Sequence, residues 1–479
     1  MKIHAGIVLP AILLAVLGGC AAVGSDYTEP ALPVPANWNN APAPVAAAQD
    51  LSRWWLQLGD PHLSGLIEQS LQASPDLRSA QAKLREARAR RGLAGANQFP
   101  TVSASVSESR VKSSAATGSG LTRELYSAGF DASWEPDIFG GTRRAVEAAQ
   151  ADLEGSEASL HGTQVSLLAE VALNYVELRA YQARLAIARD NLASQTETLE
   201  LTVWRAQAGL SSSLDVEQAR TNKEQTRAQI PGLESGLAQA EHRLAILLGQ
   251  APGTLHDKLA KVAPIPAAPE NIAIGIPADT LRQRPDVRVA ERKLAAETAR
   301  IGEVTAALYP GFQLSGSIGW ETLNFGALGS GDSLTRSLLG SVAATLFDGG
   351  RIRQRIEIQN AVQEQALVNY EKTVLSALEE AENALVSHAN SRIREQALRE
   401  AADAAHNAVL MAHQRYSSGI IDFQKVLDTE RTLLTVQDSL KTTQAESVSA
   451  LIRLYKALGG GWQAAASNTN QPIQQGGTS

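Results

Sequence analysis

Residues 415–428 read R-Y-S-S-G-I-I-D-F-Q-K-V-L-D, a short Ser/Gly break between two very long helical patterns. A matching break, W-R-A-Q-A-G-L-S-S-S-L-D-V, lies at residues 204–216. Aligning Gly209 with Gly419 gives a separation of 419 − 209 = 210 residues and places Arg205 on Arg415. The chain is therefore interpreted as two copies of one long unit, with these breaks as equivalent tips.

Both copies consist mainly of long helical patterns. Residues 142–207 and 351–417 contain no proline, and a helix of that length would reach about 100 Å. Return helices are predicted at 213–249 and 423–458, with a kink or interruption at Pro231 in the first. A seven-residue apolar repeat predicts coiled-coil packing, and in the first long helix it comprises Leu178, Leu185, Leu192 and Leu199.

The apolar period changes to two after Phe99-Pro100 and again after Tyr309-Pro310. Apolar and hydroxyl residues then alternate, which predicts strands at 101–112, 125–136, 312–321 and 337–347. Strands of about ten residues match a tilted membrane-crossing β-strand, and the alternation is typical of outer-membrane barrels. An ordinary half-buried sheet would show the same pattern.

The two interpretations differ in how the sheet closes, because an open sheet edge cannot lie in hydrocarbon. Four strands are too few to close alone. Two chains would give eight strands, a barrel filled by its own side chains, whereas three chains would give twelve and could leave a water-filled bore. A trimer is therefore the smallest assembly in which these strands form a pore. A solid coiled-coil rod is the alternative, and it does not explain the strands.

Composition excludes several classes of function. The net charge of −7 offers no basic field for nucleic acid, so no nucleic-acid partner is expected. Eight scattered histidines include no pair at metal-ligand spacing, and no nucleophile or phosphate-loop motif is present. His406 and His413, seven residues apart, are interpreted as packing or solvent-facing. We therefore predict no enzyme, cofactor or metal.

The N-terminus predicts export. Residues 1–19 form a basic and then apolar signal peptide, and the only cysteine, Cys20, follows Leu17-Gly18-Gly19. This pattern resembles the bacterial lipobox, which makes Cys20 the acylated mature N-terminus, for example with palmitate; a small core cysteine is the alternative. Residues 20–64 are predicted to be extended, and residues 461–479 to be a disordered tail.

Several motifs in fixed order carry a family resemblance. They are L-G-G-C, V-G-S-D-Y-T-E-P, S-P-D-L, R-P-D-V, Q-F-P, L-Y-P, L-F-D-G-G-R-I-R, L-D-V-E-Q-A-R, R-Y-S-S-G and L-Y-K-A-L-G-G-G-W. With them the chain resembles the TolC-like outer-membrane factors, in particular the lipidated, NodT-like branch of tripartite RND-type efflux systems. It departs from the family at Ser25, where proline is usual, and at P-D-I-F-G-G in the first copy, where the offset is 347 − 139 = 208.

The resemblance implies an α+β homotrimer, with a 12-stranded membrane β-barrel, four strands per chain, continuous with a long α-helical coiled-coil barrel. The two internal repeats would span 65–273 and 274–460, the second opening with a helix at 285–308. The protein would lie in the outer membrane of a Gram-negative bacterium, anchored in its lipid, with a periplasmic helical extension.

The resemblance also implies a function. The chain would passively conduct small molecules or drugs from a periplasmic adaptor (membrane fusion) protein and an inner-membrane RND-type transporter to the outside. The alternatives are an exit channel for type I protein secretion and a non-conducting structural coiled-coil lipoprotein.

The resemblance places a periplasmic gate at the tips. Asp428 corresponds to an inward-pointing aspartate that forms a ring at the constriction, and Lys425 replaces a second acid found one turn earlier in some members. Arg415 and Tyr416 match residues that hold the closed state, and Asp215 matches a partner acid on the other tip. Three Asp428 carboxylates near one axis would attract cations, and Lys425 would partly cancel that field.

Overall fold

The computed structural model describes residues 22–40, 51–269 and 277–462. The predicted signal peptide, Cys20 and the predicted tail beyond Trp462 lie outside the described residues. The chain divides into two compact units. Unit 1 is Met1–Leu32, Lys83–Glu157 and Arg288–Lys372, and unit 2 is Pro33–Ala82, Ala158–Val287 and Thr373–Ser479.

The two halves of the chain hold helices of matching length. The helices are α1 Pro61–Ala73, α2 Pro75–Ala96, α3 Gly141–Gln207, α4 Ser213–Leu247, α5 His256–Leu259, α6 Pro277–Gln283, α7 Pro285–Ala306, α8 Arg351–Ser417 and α9 Phe423–Ala457. The strands are β1 Thr101–Lys112, β2 Thr122–Trp134, β3 Gly311–Thr322 and β4 Leu334–Ala343. Helices α2 and α7 have 22 residues each, α3 and α8 have 67, and α4 and α9 have 35.

Unit 1 contains one four-stranded sheet in the order β1-β2-β3-β4. All three strand pairs are antiparallel, and the register aligns Thr101 with Ser133 in the first pair. Because side chains alternate along each strand, directly paired residues share a face. One face carries Val102, Val106, Phe130, Ile318, Leu338 and Val342, all at least half exposed. The other carries Ser103, Ser105, Ser107, Ser127, Asp131, Ser133, Gln313, Ser315, Ser317 and Ser337.

Two glycines face each other where β2 pairs with β3. Gly129 lies directly opposite Gly319. A Cβ atom on Gly319 would lie 2.5 Å from the Ala128 carbonyl oxygen and 2.7 Å from the Gly129 Cα. The close approach of these strands therefore requires a residue without a side chain at this position.

The ends of β2, β3 and β4 differ from the predicted bounds, and the largest differences lie in β2 and β4. Strand β4 ends at Ala343, not at Phe347, because Ala343 pairs with Gly311 and β3 begins there, directly after Pro310. Strand β2 begins earlier than predicted, at Thr122, because Thr122 still pairs with Lys112 of β1. Alternation alone does not reveal where a strand's partner ends.

Unit 2 has an apolar core around two aromatic residues. Trp54 is 1% exposed and stacks on Tyr455 of α9 with a 5.4 Å distance between ring centroids. Trp55 contacts Trp54 edge to face, and the Tyr455 hydroxyl donates to Gln57 Oε1 at 2.7 Å. Both tryptophans therefore pack into the core of unit 2.

Helix α4 continues through Pro231, so the predicted interruption of this helix is wrong. Proline removes a single helical hydrogen bond. The carbonyl of Pro231 also accepts a bond from the Ser235 hydroxyl at 2.8 Å. Among the helices of the described residues, none combines the length and apolarity needed to cross a membrane.

A buried arginine fixes the start of α7 within unit 2. The Arg284 side chain is 7% exposed and donates to Asp286 at 2.6 and 3.0 Å and to Glu380 of α8 at 2.7 Å. It also donates to the carbonyl of Ala457, at the end of α9, at 2.9 Å. Burial alone would raise the pKa of Asp286, but the Arg284 guanidinium outweighs it and holds that pKa below its usual value.

We expect Arg284→Met to lower the free energy of unfolding by about 1–3 kcal/mol, because the Ala457 carbonyl loses its donor. The deficit should be largest at pH 7 and should shrink below about pH 4, as Asp286 protonates and the wild type loses the ion pair. Thermal melts followed by circular dichroism at pH 7 and pH 3 measure this difference. The matched control is Arg78→Met, an exposed first-turn arginine of α2, which should change neither melt. A pH-independent deficit for Arg284→Met would contradict the ion-pair explanation.

Candidate gate at the helix tips

The two Ser/Gly breaks fold into the same turn. Gly209 and Gly419 both have φ of 73°, a left-handed conformation that favours glycine. The amide that follows each glycine donates to the carbonyl of the arginine five residues earlier, at 2.8 and 2.9 Å. Both long helices therefore end in a Schellman-type cap.

The return helices begin with different caps. In α4, Ser212 and Asp215 form a reciprocal capping box, with bonds of 2.9 and 3.1 Å. In α9, Asp422 alone caps the helix by accepting the Lys425 amide at 3.1 Å. Burial would raise the pKa of Asp215, but hydrogen bonds from Ser212 and Ser211 lower it below its ordinary value.

Asp428 and Lys425 lie on the exposed face of α9. The Asp428 carboxylate accepts a bond from Gln424 Nε2 at 3.0 Å. The opposite face of the same turns is buried and carries Phe423 and Val426. The predicted ring residue is thus free to face a partner or an axis outside one chain.

Tyr416 is held by residues from both tips. The Arg205 guanidinium of α3 lies 4.7 Å from the centre of its ring, a cation–π contact, and Phe423 packs against it at 5.4 Å between centroids. Tyr416 adjoins an apolar cluster of Ala219, Ala412, Phe423, Val426 and Leu427.

Arg415 itself is exposed, and the described residues of one chain do not bring it to Asp215. The Asp215 carboxylate is instead bonded within its own turn, to Ser211 and Ser212. Within a single chain, the arginine beside Tyr416 is Arg205 of α3. The 210-residue offset aligns Arg205 with Arg415.

A buried carboxylate near the tip was missed by sequence reasoning. Glu430 of α9 is 3% exposed and accepts from Thr198 Oγ1 of α3 at 2.9 Å and from Asn222 Nδ2 of α4 at 3.5 Å. His413 Nε2 of α8 lies 3.1 Å from the same carboxylate. One side chain therefore contacts all three other helices of the tip. The signal that could have found it is spacing, because Glu430 continues the apolar stripe of Phe423, Val426 and Leu427.

The segment that follows Cys20 is bound within unit 1. The Val23 amide donates to the Phe139 carbonyl at 3.0 Å. The Arg144 guanidinium donates to the carbonyls of Val23 and Gly24 at 3.1 and 3.0 Å and pairs with Asp26 at 2.9 Å. Residues 23–26 are therefore fixed at the beginning of α3.

Known proteins share the sequence features of this chain. The family model "Outer membrane efflux protein" matches residues 66–250 and 276–460. Nodulation protein T of Rhizobium leguminosarum bv. trifolii is 31% identical over 457 residues, covering 94% of this chain and 96% of that protein. The solvent efflux pump outer membrane protein SrpC of Pseudomonas putida is 31% identical over 466 residues, covering 95% of this chain and 98% of that protein.

The fold agrees with a solved channel. The outer-membrane channel OprN superposes with a TM-score of 0.87 at 37% identity, covering 93% of this chain and 100% of that one. OprN is named as an outer-membrane channel, and SrpC as the outer membrane protein of a solvent efflux pump. The chain therefore belongs to the outer membrane efflux protein family and resides in the outer membrane.

Proposed function

We propose that three copies of this chain form the exit duct of a tripartite efflux pump, through which small molecules or drugs pass passively out of the cell. The observation that carries the proposal is the sheet of unit 1. It exposes an apolar face and a hydroxyl face, and among the described residues each of its outer strands, β1 and β4, has one unpaired edge.

The unpaired edges of β1 and β4 favour assembly of several chains into one barrel. An unpaired edge in hydrocarbon leaves N–H and C=O groups without partners, so β1 and β4 must pair with neighbouring chains. Three sheets of four strands give a closed barrel of twelve, wide enough for a bore. The face with Val106, 82% exposed, and Leu338, 80% exposed, then meets lipid, and the hydroxyl face lines water.

The proposal includes two internal repeats, 65–273 and 274–460. The equal helix lengths, the shared turn geometry at Gly209 and Gly419 and the two matches of one family model support them. In the trimer the repeats supply two helix pairs per chain, α3 with α4 and α8 with α9, to the wall of the periplasmic duct.

The tips form the proposed gate. Asp428 is exposed on α9, where three copies can form an acidic ring, and Lys425 lies one turn away on the same face. Tyr416, with Arg205 against its ring, joins the two helix pairs of one chain. Arg415 and Asp215 remain proposed latch residues, with Arg415 available to a neighbouring chain.

The proposed partners are a periplasmic adaptor and an inner-membrane RND-type transporter. Leu210 and Ile420, each 70% exposed, stand at equivalent positions of the two tips and offer apolar anchors to an adaptor. SrpC is named as an efflux pump protein, and this supports efflux over protein secretion. A non-conducting coiled-coil lipoprotein would have no use for an amphipathic sheet. The proposed lipid anchor is Cys20, directly before the segment that Arg144 fixes.

Purified wild-type trimers in a planar bilayer should give a small, cation-preferring conductance. Asp428→Asn should lower the potassium-to-chloride permeability ratio about two- to threefold, because the ring loses its charge. Reversal potentials in a salt gradient measure the ratio.

The control is Asp403→Asn, an exposed acid of α8 away from the tip, which should leave the ratio unchanged. If folded wild type and both variants fail to conduct, the duct is excluded. Equal ratios in the conducting wild type and Asp428→Asn would remove Asp428 from the gate.

A further inference from the structure

We propose that Glu430 and His413 form a pH-dependent latch that holds the two helix pairs of one chain together near their tips. Loss of the His413 proton then weakens the latch and favours opening of the duct. This inference rests on the proposed function, since it assigns a control element to the proposed gate.

Glu430 of α9 is the common partner of three other helices. Its carboxylate meets Thr198 of α3 and Asn222 of α4, which belong to one helix pair, and His413 of α8, which belongs to its own pair. The neighbouring Arg431 reinforces the link across the pairs, because its Nε donates to Asn222 Oδ1 at 2.9 Å. Separation of the helix pairs therefore has to break the bonds that Thr198 and Asn222 donate to Glu430, while His413 stays in the same pair as the carboxylate.

The burial of the carboxylate explains why a nearby positive charge matters. The Glu430 side chain is 4% exposed, and an ion removed from water is stabilised only by charged or strongly donating neighbours. Thr198 and Asn222 are neutral donors. His413, whose side chain is 39% exposed, is both in contact with the carboxylate and open to solvent, so it can exchange its proton.

The other charged groups near Glu430 do not take the place of His413 as the donor to its carboxylate. On α9, Arg431 bonds to Asn222 and not to the carboxylate. On α4, Lys223 lies beside Asn222 and is 4.0 Å from Glu224. On α3, Arg205 lies over Tyr416.

The sign of the effect follows from these contacts. Histidine changes charge between about pH 5 and 8. A protonated His413 donates to Glu430 as an imidazolium, and the pair is then neutral overall. Once that proton is lost, the buried anion keeps only neutral donors, so the state in which water reaches the carboxylate gains in population. The tip is therefore closed more tightly at pH 5.5 than at pH 8.

The buried side chains near the tip lower the cost of separating the helix pairs. Helices α3 and α4, which both contact Glu430, also bury several polar side chains near their tip: Gln195, Thr198, Thr202, Asn222 and Thr226. The amide of Gln195 has no hydrogen-bond partner among the described residues. Such groups gain partners when water enters, which lowers the cost of separating the helix pairs.

The test is the pH profile of conductance in planar bilayers between pH 5.5 and 8 for four proteins: wild type, His413→Gln, Glu430→Gln and the control His406→Gln, an exposed histidine of α8. We expect wild-type and His406→Gln conductance to rise about fivefold with pH, the size expected when a charged hydrogen bond becomes a neutral one. His413→Gln and Glu430→Gln should give flat profiles. A His413→Gln profile equal to that of wild type overturns the latch.

A second measurement distinguishes a failure of the proposed latch from a failure of the proposed duct. Amide hydrogen exchange of peptides covering 195–205 and 423–431 is compared between wild type and His413→Gln, at pH 5.5 and again at pH 8. We expect His413→Gln to exchange faster at pH 5.5 and at the wild-type rate at pH 8. If no protein conducts but this difference is present, the duct fails and the latch stands. If the proteins conduct and the difference is absent, the latch fails and the duct stands.

Discussion

Gly319→Val is expected to abolish assembly of the proposed trimeric channel. The new Cβ would fall 2.5 Å from the Ala128 carbonyl oxygen and 2.7 Å from the Gly129 Cα, and neither backbone atom can move without separating β2 from β3. These two strands are the central pair of the sheet, so their separation divides it into two hairpins. Two-stranded hairpins are marginally stable alone. We expect at least a tenfold loss of heat-modifiable trimer on semi-native gels, with a matching loss of conductance.

The matched control for this substitution is Gly311→Val, at the beginning of the same inner strand, β3. The nearest neighbour of a Cβ at Gly311 is Glu135 Oε1 at 3.8 Å, an ordinary contact, and valine favours strands. This variant should therefore assemble as the wild type does. Trimer yields for Gly319→Val equal to those for Gly311→Val would show that β2 and β3 do not depend on their close approach.

Trp54→Ala is expected to lower the free energy of unfolding by about 3–5 kcal/mol, the usual effect of truncating a fully buried tryptophan. Trp54 is 1% exposed, and its removal leaves Tyr455 without its stacking partner. Denaturant titration followed by circular dichroism measures the loss.

Trp204→Ala is the control for this loss, because Trp204 belongs to the same unit but is 62% exposed. Its effect should lie within about 0.5 kcal/mol of zero. A loss of under about 1 kcal/mol for Trp54→Ala would mean that the aromatic core tolerates a cavity at this position.

Sequence patterns predicted the elements well where local chemistry decides them. Pro75 and Pro285 begin α2 and α7, as their position before an acidic residue indicated. The glycines of both tips end the long helices, because only a residue without a Cβ adopts the left-handed conformation freely. Alternation predicted all four strands.

The features that sequence patterns did not predict depend on contacts between residues that are far apart in the sequence. The end of β4 is set by Gly311 on its partner strand, and periodicity within β4 does not contain that information. Glu430 meets Thr198 across 232 residues of sequence, so an acid in an apolar stripe could not be assigned a partner beforehand. The alignment of Arg205 with Arg415 was visible, but their different surroundings depend on packing that only the structure provides.

The contacts of Arg144 with residues 23–26 limit how far the proposed lipid anchor can lie from the strands. Cys20 precedes Val23 by three residues, a span of at most about 10 Å of extended chain. The Val23 amide is bonded to Phe139, whose ring stacks on Tyr309, two residues before β3. The proposed acyl chain on Cys20 would therefore enter the bilayer close to the level at which β3 begins. A lipid surface displaced by more than this span would either break the contacts of the segment with Arg144 or withdraw the acyl chain from the membrane. The proposed anchor and the proposed membrane strands would therefore have to share one membrane level.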